Sequence, residues 1–340
     1  MAPGNRQERG GGVTAAVQPV TVFPLTARCR SVVCDDGLHM ATGKRDHATS
    51  ARGGYAHTVS GVKHARGLTE RELDAVGELE RQVVAVDGGR LKLAWNYLRS
   101  RSGDQVEDLL WWEGDRLLGF LGLYSFATPI ELTGMVAPNA RRRGIASALL
   151  DAALQLCRAR REERVLLVVP RSSPGGRALA LGRGGIPDHS EHALVLAGDP
   201  VGNERVAGVS LRPAESNDGA FIAGLLEVGF GLPAVETANM VRSSRGQTWL
   251  VEHDGEPVGT LAVSPHENGA GIYGFVIDPV RQGRGLGREA LRQMCARLRN
   301  DGAKRVELEV EVENERALTL YTAIGFTPLI TEDYYSLPLR

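Results

Sequence analysis

Two stretches of this 340-residue chain place a basic, glycine-containing loop between a strand and a helix. The second reads Val276-Ile-Asp-Pro-Val-Arg-Gln-Gly-Arg-Gly-Leu-Gly287 and the first Val136-Ala-Pro-Asn-Ala-Arg-Arg-Arg-Gly-Ile-Ala146. Such a loop makes an anion cradle, because unpaired backbone N–H groups at a helix start point outward and the helix dipole favours negative charge. A phosphorylated cofactor is the expected ligand, with two places to hold it. Further on, Val306-Glu-Leu-Glu-Val-Glu-Val-Glu313 alternates strictly, so its four carboxylates share one face of a strand and its apolar residues the other. Crowded carboxylates raise one another's pKa, which suits a proton acceptor, and they also suit a cationic substrate.

The elements that position these residues repeat along the chain. Gly144 and Gly285 lie 141 residues apart, so the repeating unit is a whole domain. In each copy, helices are followed by a hairpin, a strand, the basic loop, an amphipathic helix, a buried strand and a last strand, with a short helix between the last two in the second copy. The first copy runs from Leu68-Thr-Glu-Arg-Glu-Leu73, a helix capped by Thr69, through a second helix at Leu91 to Leu98 and a hairpin turning at Glu113-Gly-Asp-Arg116. The second has helices at Ala214 to Val228 and Ala234 to Arg242, a hairpin turning at Asp254-Gly255, and a helix from Glu315 to Ala323. The expected architecture is α/β: two tandem α+β sandwiches, each a mixed, mostly antiparallel sheet flanked by helices. The expected boundaries are 67–204 and 205–340. Residues 1–66 carry nine Lys or Arg against four Asp or Glu with little periodicity, and read as an irregular extension.

Composition excludes several classes. The net charge of −1 selects neither nucleic acid nor an acidic membrane, and no apolar run is long enough to span a bilayer. With no secretory signal, a cytoplasmic location is expected. Four cysteines in a chain this long do not make a disulfide framework; Cys157 and Cys295 read as helix packing, and Cys29, Cys34 and His39 lack a fourth metal ligand. No metal is expected.

Gly285-Leu-Gly-Arg-Glu-Ala290 formally fits the dinucleotide pattern G-x-G-x-x-A. Yet Asp278 to Arg284 separate the strand from the first glycine, and the other copy, Arg141-Arg-Arg-Gly-Ile-Ala146, lacks the pattern. Both loops instead resemble the acyl-CoA pyrophosphate loop of the GNAT acetyltransferase superfamily. Asn314-Glu-Arg-Ala-Leu-Thr-Leu-Tyr-Thr-Ala-Ile-Gly-Phe326 resembles that superfamily's second motif. The resemblance covers about residues 67 to 340, and the tandem organisation is similar to that of actinobacterial tandem acetyltransferases, such as mycothiol synthases and the tandem acetyltransferase of clavulanic acid clusters.

The resemblance implies a cofactor, acetyl-CoA or another acyl-CoA, and a set of residues to hold it. Backbone groups of Phe275, Val276 and Ile277, and of Gly134, Met135 and Val136, would pair with the pantetheine arm. Loop residues Gln282, Gly283, Arg284, Gly285, Leu286, Gly287 and Arg288, with Asn314, and Arg141, Arg142, Arg143, Gly144, Ile145, Ala146 and Ser147 in the first copy, would take the pyrophosphate. Tyr321 would protonate the leaving thiolate and Glu309 would accept the proton of the amine. In the first copy Val168 stands opposite Glu309 and Gly182 opposite Tyr321, although Glu131 remains on the strand before the loop. The implied division is a first domain that binds CoA without turnover and a second that acetylates an amine of a small metabolite, in specialised metabolism such as antibiotic biosynthesis, as a monomer. A peptide N-acetyltransferase and a non-catalytic acyl-CoA-binding protein are the alternatives.

Overall fold

The computed structural model describes residues 61–101, 103–125, 129–202, 205–230, 248–266 and 269–339. The readings of Cys29, Cys34, His39, most of the N-terminal extension and the helix at Ala234 to Arg242 lie outside them.

The first half is built from β1 (Val62–Ala65), α1 (Glu70–Asp87), α2 (Trp95–Ser100), β2 (Asp108–Glu113), β3 (Arg116–Tyr124), β4 (Ile130–Val136), α3 (Ile145–Ala159), β5 (Arg164–Pro170), α4 (Pro174–Gly182) and β6 (Ile186–Leu196). The second follows with β7 (Val209–Pro213), α5 (Gly219–Phe230), β8 (Thr248–His253), β9 (Glu256–His266), β10 (Gly269–Ile277), α6 (Leu286–Asn300), β11 (Arg305–Glu311), α7 (Glu315–Thr322) and β12 (Thr327–Pro338). Local chemistry explains many boundaries. Thr69 and Glu72 form a reciprocal capping box at the start of α1, whose apolar stripe Leu73, Val76, Leu79 and Val83 is buried. Asp254 and Gly255 both have positive φ, which suits the two-residue turn joining β8 and β9.

Two expectations change. Val62–Ala65, assigned to the irregular extension, pairs antiparallel with β2 and covers that strand's outer edge. The helix expected from Leu91 begins only at Trp95. Arg90-Leu-Lys-Leu93 alternates charged and apolar residues, and both cations are drawn into buried ion pairs, so this stretch stays out of the helix as an open ribbon of two γ-turns, the Leu93 N–H donating to the Leu91 carbonyl and the Trp95 N–H to the Leu93 carbonyl.

The strands form one continuous twelve-stranded sheet in the order β1-β2-β3-β4-β5-β12-β6-β11-β10-β9-β8-β7. The order is a palindrome of the two halves with one exchange at its centre. β6, the last strand of the first half, pairs antiparallel with β11 of the second. β12, the last strand of the second half, pairs antiparallel with β5 of the first. β6 and β12 pair with each other, placing Glu191 directly opposite Glu332. Two large apolar clusters flank the seam, one in each half. The expected division at about residue 204 therefore separates the repeats in sequence, while the sheet interlocks them.

Because each half borrows a strand, the segments 61–204 and 205–340 are expected to unfold non-cooperatively or aggregate when produced separately. Co-expression should yield a one-to-one complex. A cooperative thermal transition in either segment alone would overturn the exchange.

Candidate active site

The two basic loops adopt the same backbone. In the second, Gly283 (φ 79°) and Gly285 (φ 77°) flank Arg284; in the first, Arg142 (φ 64°) and Gly144 (φ 82°) flank Arg143. Successive amides in such a turn point into one concavity, a nest for an anion. Gly144 and Gly285 are the N-caps of α3 and α6, and neither helix start is closed by a capping side chain. The amides at Ile145 to Ser147 and at Leu286 and Gly287 therefore stay available for an anion. Arg141 and Gln282 hold the loops alike: the Arg141 Nε donates to the Val136 carbonyl and the Gln282 amide to the Ile277 carbonyl. Only Arg142 departs, as a side-chain residue in the left-handed region that Gly283 fills without strain.

Beside each loop the sheet opens. β4 pairs with β5 only over Ile130–Leu132, and β10 with β11 only over Gly269–Gly271. Thr133 to Val136 and Ile272 to Ile277 thus keep one backbone edge without a strand partner. In the first half this splay is a cleft of about 820 Å³, bordered by Gly134 to Val136, the loop from Arg141 to Ser147, and α4 down to Gly182. In the second half β10 carries a bulge between Tyr273 and Val276, with Gly274 at φ 55°. β4 runs in unbroken register with β3, so the bulge distinguishes the second half. Bulges re-aim backbone groups and occur next to active sites. The side chains of Phe275 and Ile277 enter one apolar cluster and that of Val276 another, leaving the backbone as the part that faces the splay.

Tyr321 and Glu309 lie on opposite faces of the sheet. Tyr321 belongs to the apolar cluster of Leu286, Leu308 and Phe326, with its ring centroid 6.1 Å from that of Phe326. Burial raises its pKa, so it stays protonated. Among the described residues no hydrogen bond holds its hydroxyl. Asn314 caps α7 by accepting from the Ala317 N–H at 3.0 Å, a structural use for that residue. Glu309 points to the other face, and sequence reading did not anticipate its partners. Arg90, from the segment after α1, donates to it, and Lys92 Nζ lies 3.0 Å away.

Arg90 also reaches Glu307 and Glu332, each at 3.5 Å, and Lys92 reaches Glu191 at 3.1 Å and Glu131 at 3.8 Å. The hydroxyl of Tyr334 donates to Glu191 and contacts Lys92. Burial would push Glu309 up, but Lys92 and Arg90 outweigh it and hold the carboxyl at about 2. Burial wins at Glu131 and Glu332, which rise to about 7. Two cations thus face more carboxylates than they can neutralise, and protons make up the difference near neutral pH. The pattern Arg90-Leu-Lys-Leu93 after Gly88-Gly89 was the available signal: its period of two marks a non-helical segment with both cations on one side.

The model of the Acetyltransferase (GNAT) family matches the chain twice, at residues 82–182 and 227–326. A mycothiol acetyltransferase of Kytococcus sedentarius is 30% identical over 300 residues, covering 80% of this chain and 96% of the relative. Another, of Kineococcus radiotolerans, is 28% identical over 288 residues, covering 77% of this chain and 92% of the relative. Among solved structures, a GCN5-related N-acetyltransferase from Sphaerobacter thermophilus superposes with a TM-score of 0.69 at 19% identity, over 81% of this chain and 95% of that one. A tandem GNAT protein from the clavulanic acid biosynthesis pathway superposes with a TM-score of 0.58 at 20% identity, over 82% and 99%. These two share the fold. Among the described residues no helix is long and apolar enough to cross a membrane.

Two consequences can be measured. Arg142→Gly should raise the melting temperature, by an amount corresponding to at most about 1 kcal/mol, because glycine removes the left-handed strain; an unchanged or lower value would show the loop is not strained there. Glu332 has a folded pKa raised from 4.5 to about 7. Its stabilising contribution is complete below about pH 4.5 and is lost as pH rises through 7. Glu332→Gln should therefore match the wild type in melting temperature at pH 5 and exceed it at pH 8. A variant less stable than wild type at pH 8 would show that the ionised carboxylate stabilises the seam.

Proposed function

The chain belongs to the GNAT acetyltransferase family, and from that premise we propose that it transfers an acetyl group from acetyl-CoA to an amine of a small metabolite, with turnover confined to the second half. The family as a whole works with acyl-CoA, and this enzyme is an acetyltransferase. The observation that carries the finer reading is the asymmetry of the two splays. Both have the anion nest and an open backbone edge, but only residues 205–340 add the bulge, Glu309 and Tyr321. Residues 67–204 keep the cleft and have Val168 in place of Glu309, while the shared cap positions Ser173 and Asn314 set the buried Ala180, not the expected Gly182, opposite Tyr321.

The donor supplies an activated thioester. On this reading, amides at Gly283 to Gly287 and the nest at Arg142 to Ser147 hold pyrophosphate, while the open edges of Phe275 to Ile277 and Gly134 to Val136 hold the pantetheine arm. The bulged backbone of β10 presents an N–H toward developing oxyanion charge. The Tyr321 hydroxyl, kept protonated by burial, donates to the departing thiolate. Glu309 accepts the amine proton. In its ion-paired state that carboxylate is too weak a base, since its pKa is held at about 2. An incoming ammonium can replace Arg90 or Lys92 as its counter-charge, so the acceptor itself would free the base it uses. The amine substrate of the proteins named mycothiol acetyltransferase is the first acceptor to test.

Native mass spectrometry with added CoA should show two adducts per chain. Gly283→Asp, which sets a negative charge in the second nest, should remove one of them and abolish turnover. Glu309→Gln and Tyr321→Phe should each lower kcat/KM roughly 100-fold or more while both adducts remain. Two adducts without transfer to any small amine or peptide would overturn the small-amine reading, and no adduct at all would sink the acyl-CoA reading.

A further inference from the structure

Arg90 stands at both sites. It borders the first-half cleft together with Asp87, Gly88 and Leu91, and its guanidinium is ion-paired to Glu309 of the second half. The segment leading to it is also tied to the first anion loop. Asp87, the last residue of α1, forms a two-pronged ion pair with Arg141, at 2.9 and 2.7 Å. A carboxylate at a helix C-terminus is disfavoured by the helix dipole, so Asp87 depends on that partner. Between Asp87 and Arg90 lie Gly88 (φ 73°) and Gly89 (φ 67°), consecutive residues in the left-handed region. A Cβ at Gly89 would come within 2.6 Å of Ile330 on β12, so the turn lies directly against the exchanged strand. A continuous chain of contacts therefore runs from Arg141 through Asp87 and the two glycines to Arg90 and Glu309.

We propose that this segment couples the two sites: an anion held by the first loop draws Arg141 from Asp87, and the freed Asp87 competes for Arg90, loosening its grip on Glu309. The inference rests on the first cleft being a CoA site. It has two states with different contacts, as coupling requires. In one, Arg141 pairs with Asp87 and Arg90 with Glu309. In the other, Arg141 pairs with phosphate and Asp87 with Arg90, leaving Glu309 to Lys92 and an incoming amine. Arg90 acts here as a positioning residue, governing the availability of Glu309 as the base through its ion pair. Lys92, shared among Glu131, Glu191 and Glu309, stays in place and keeps the seam from collapsing into uncompensated negative charge.

Linkage makes the coupling measurable without turnover, because an effect of CoA on Glu309 requires an equal effect of Glu309 on CoA. The probe is CoA alone, titrated calorimetrically into full-length protein carrying Gly283→Asp, with native mass spectrometry verifying one adduct per chain. In that background Glu309→Gln should tighten CoA binding roughly fivefold, since Arg90 no longer has its strongest partner to lose. Adding Arg90→Met should erase the difference, and so should Asp87→Asn, an exposed change that leaves the seam intact. Should Glu309→Gln fail to unfold cooperatively, Arg90→Lys replaces it and should tighten CoA binding by a smaller factor in the same direction. A change below twofold, or one that persists with Arg90→Met and Asp87→Asn, would overturn the coupling while leaving the first cleft a CoA site. Absence of any adduct in the Gly283→Asp background would overturn both.

Discussion

The central seam depends on bringing Arg90 and Lys92 against buried carboxylates. Glu191 and Glu332 stand directly opposite each other on paired strands, a like-charge arrangement that opposes pairing unless a counter-charge intervenes. Both cations come from one segment of the first half, and their partners lie on β4, β6, β11 and β12. The ion pairs therefore link the two halves as well as neutralising charge. Removing either cation from such a buried set leaves uncompensated carboxylates, which commonly costs about 3–5 kcal/mol. The same contacts hold the candidate base inactive, so structural integrity and restraint of the chemistry share one set of side chains.

The halves show how a duplicated frame diverges with little change in backbone. Loop geometry is retained to the point that Arg142 occupies the left-handed position that Gly283 fills in the other copy. Retaining a strained conformation implies that the shape of the nest matters more than the local cost. What separates the halves is small: a bulge in β10, a tyrosine where the other copy has Ala180, and a glutamate where it has valine.

Much of this was legible in the sequence because it was local. Turn chemistry fixed both hairpins, strict alternation fixed the acidic strand, and glycine spacing marked both nests. The exchange of β6 and β12 was not legible. Both strands alternate acceptably for either half, and only the competition between long-range pairings decides which neighbour each takes. The ion-pair network was missed for a related reason. Leu91 to Leu98 has enough apolar residues to pass for a helix, and its non-helical start follows from partners more than 200 residues away in sequence. Glu309 could be singled out by its strand, but its ionisation depends on that distant segment.

The strand exchange also bears on how the protein is made. β5 is complete at residue 170, but its neighbour β12 begins more than 150 residues later. At ordinary synthesis rates the growing chain waits roughly ten to thirty seconds with that edge unpaired. During that interval an open, apolar strand edge is a template for wrong pairing, within the polysome or with a nascent neighbour. The strand that closes the first half is made long after the rest of that half, so a chain that stalls before Thr327 would be left with both repeats incomplete.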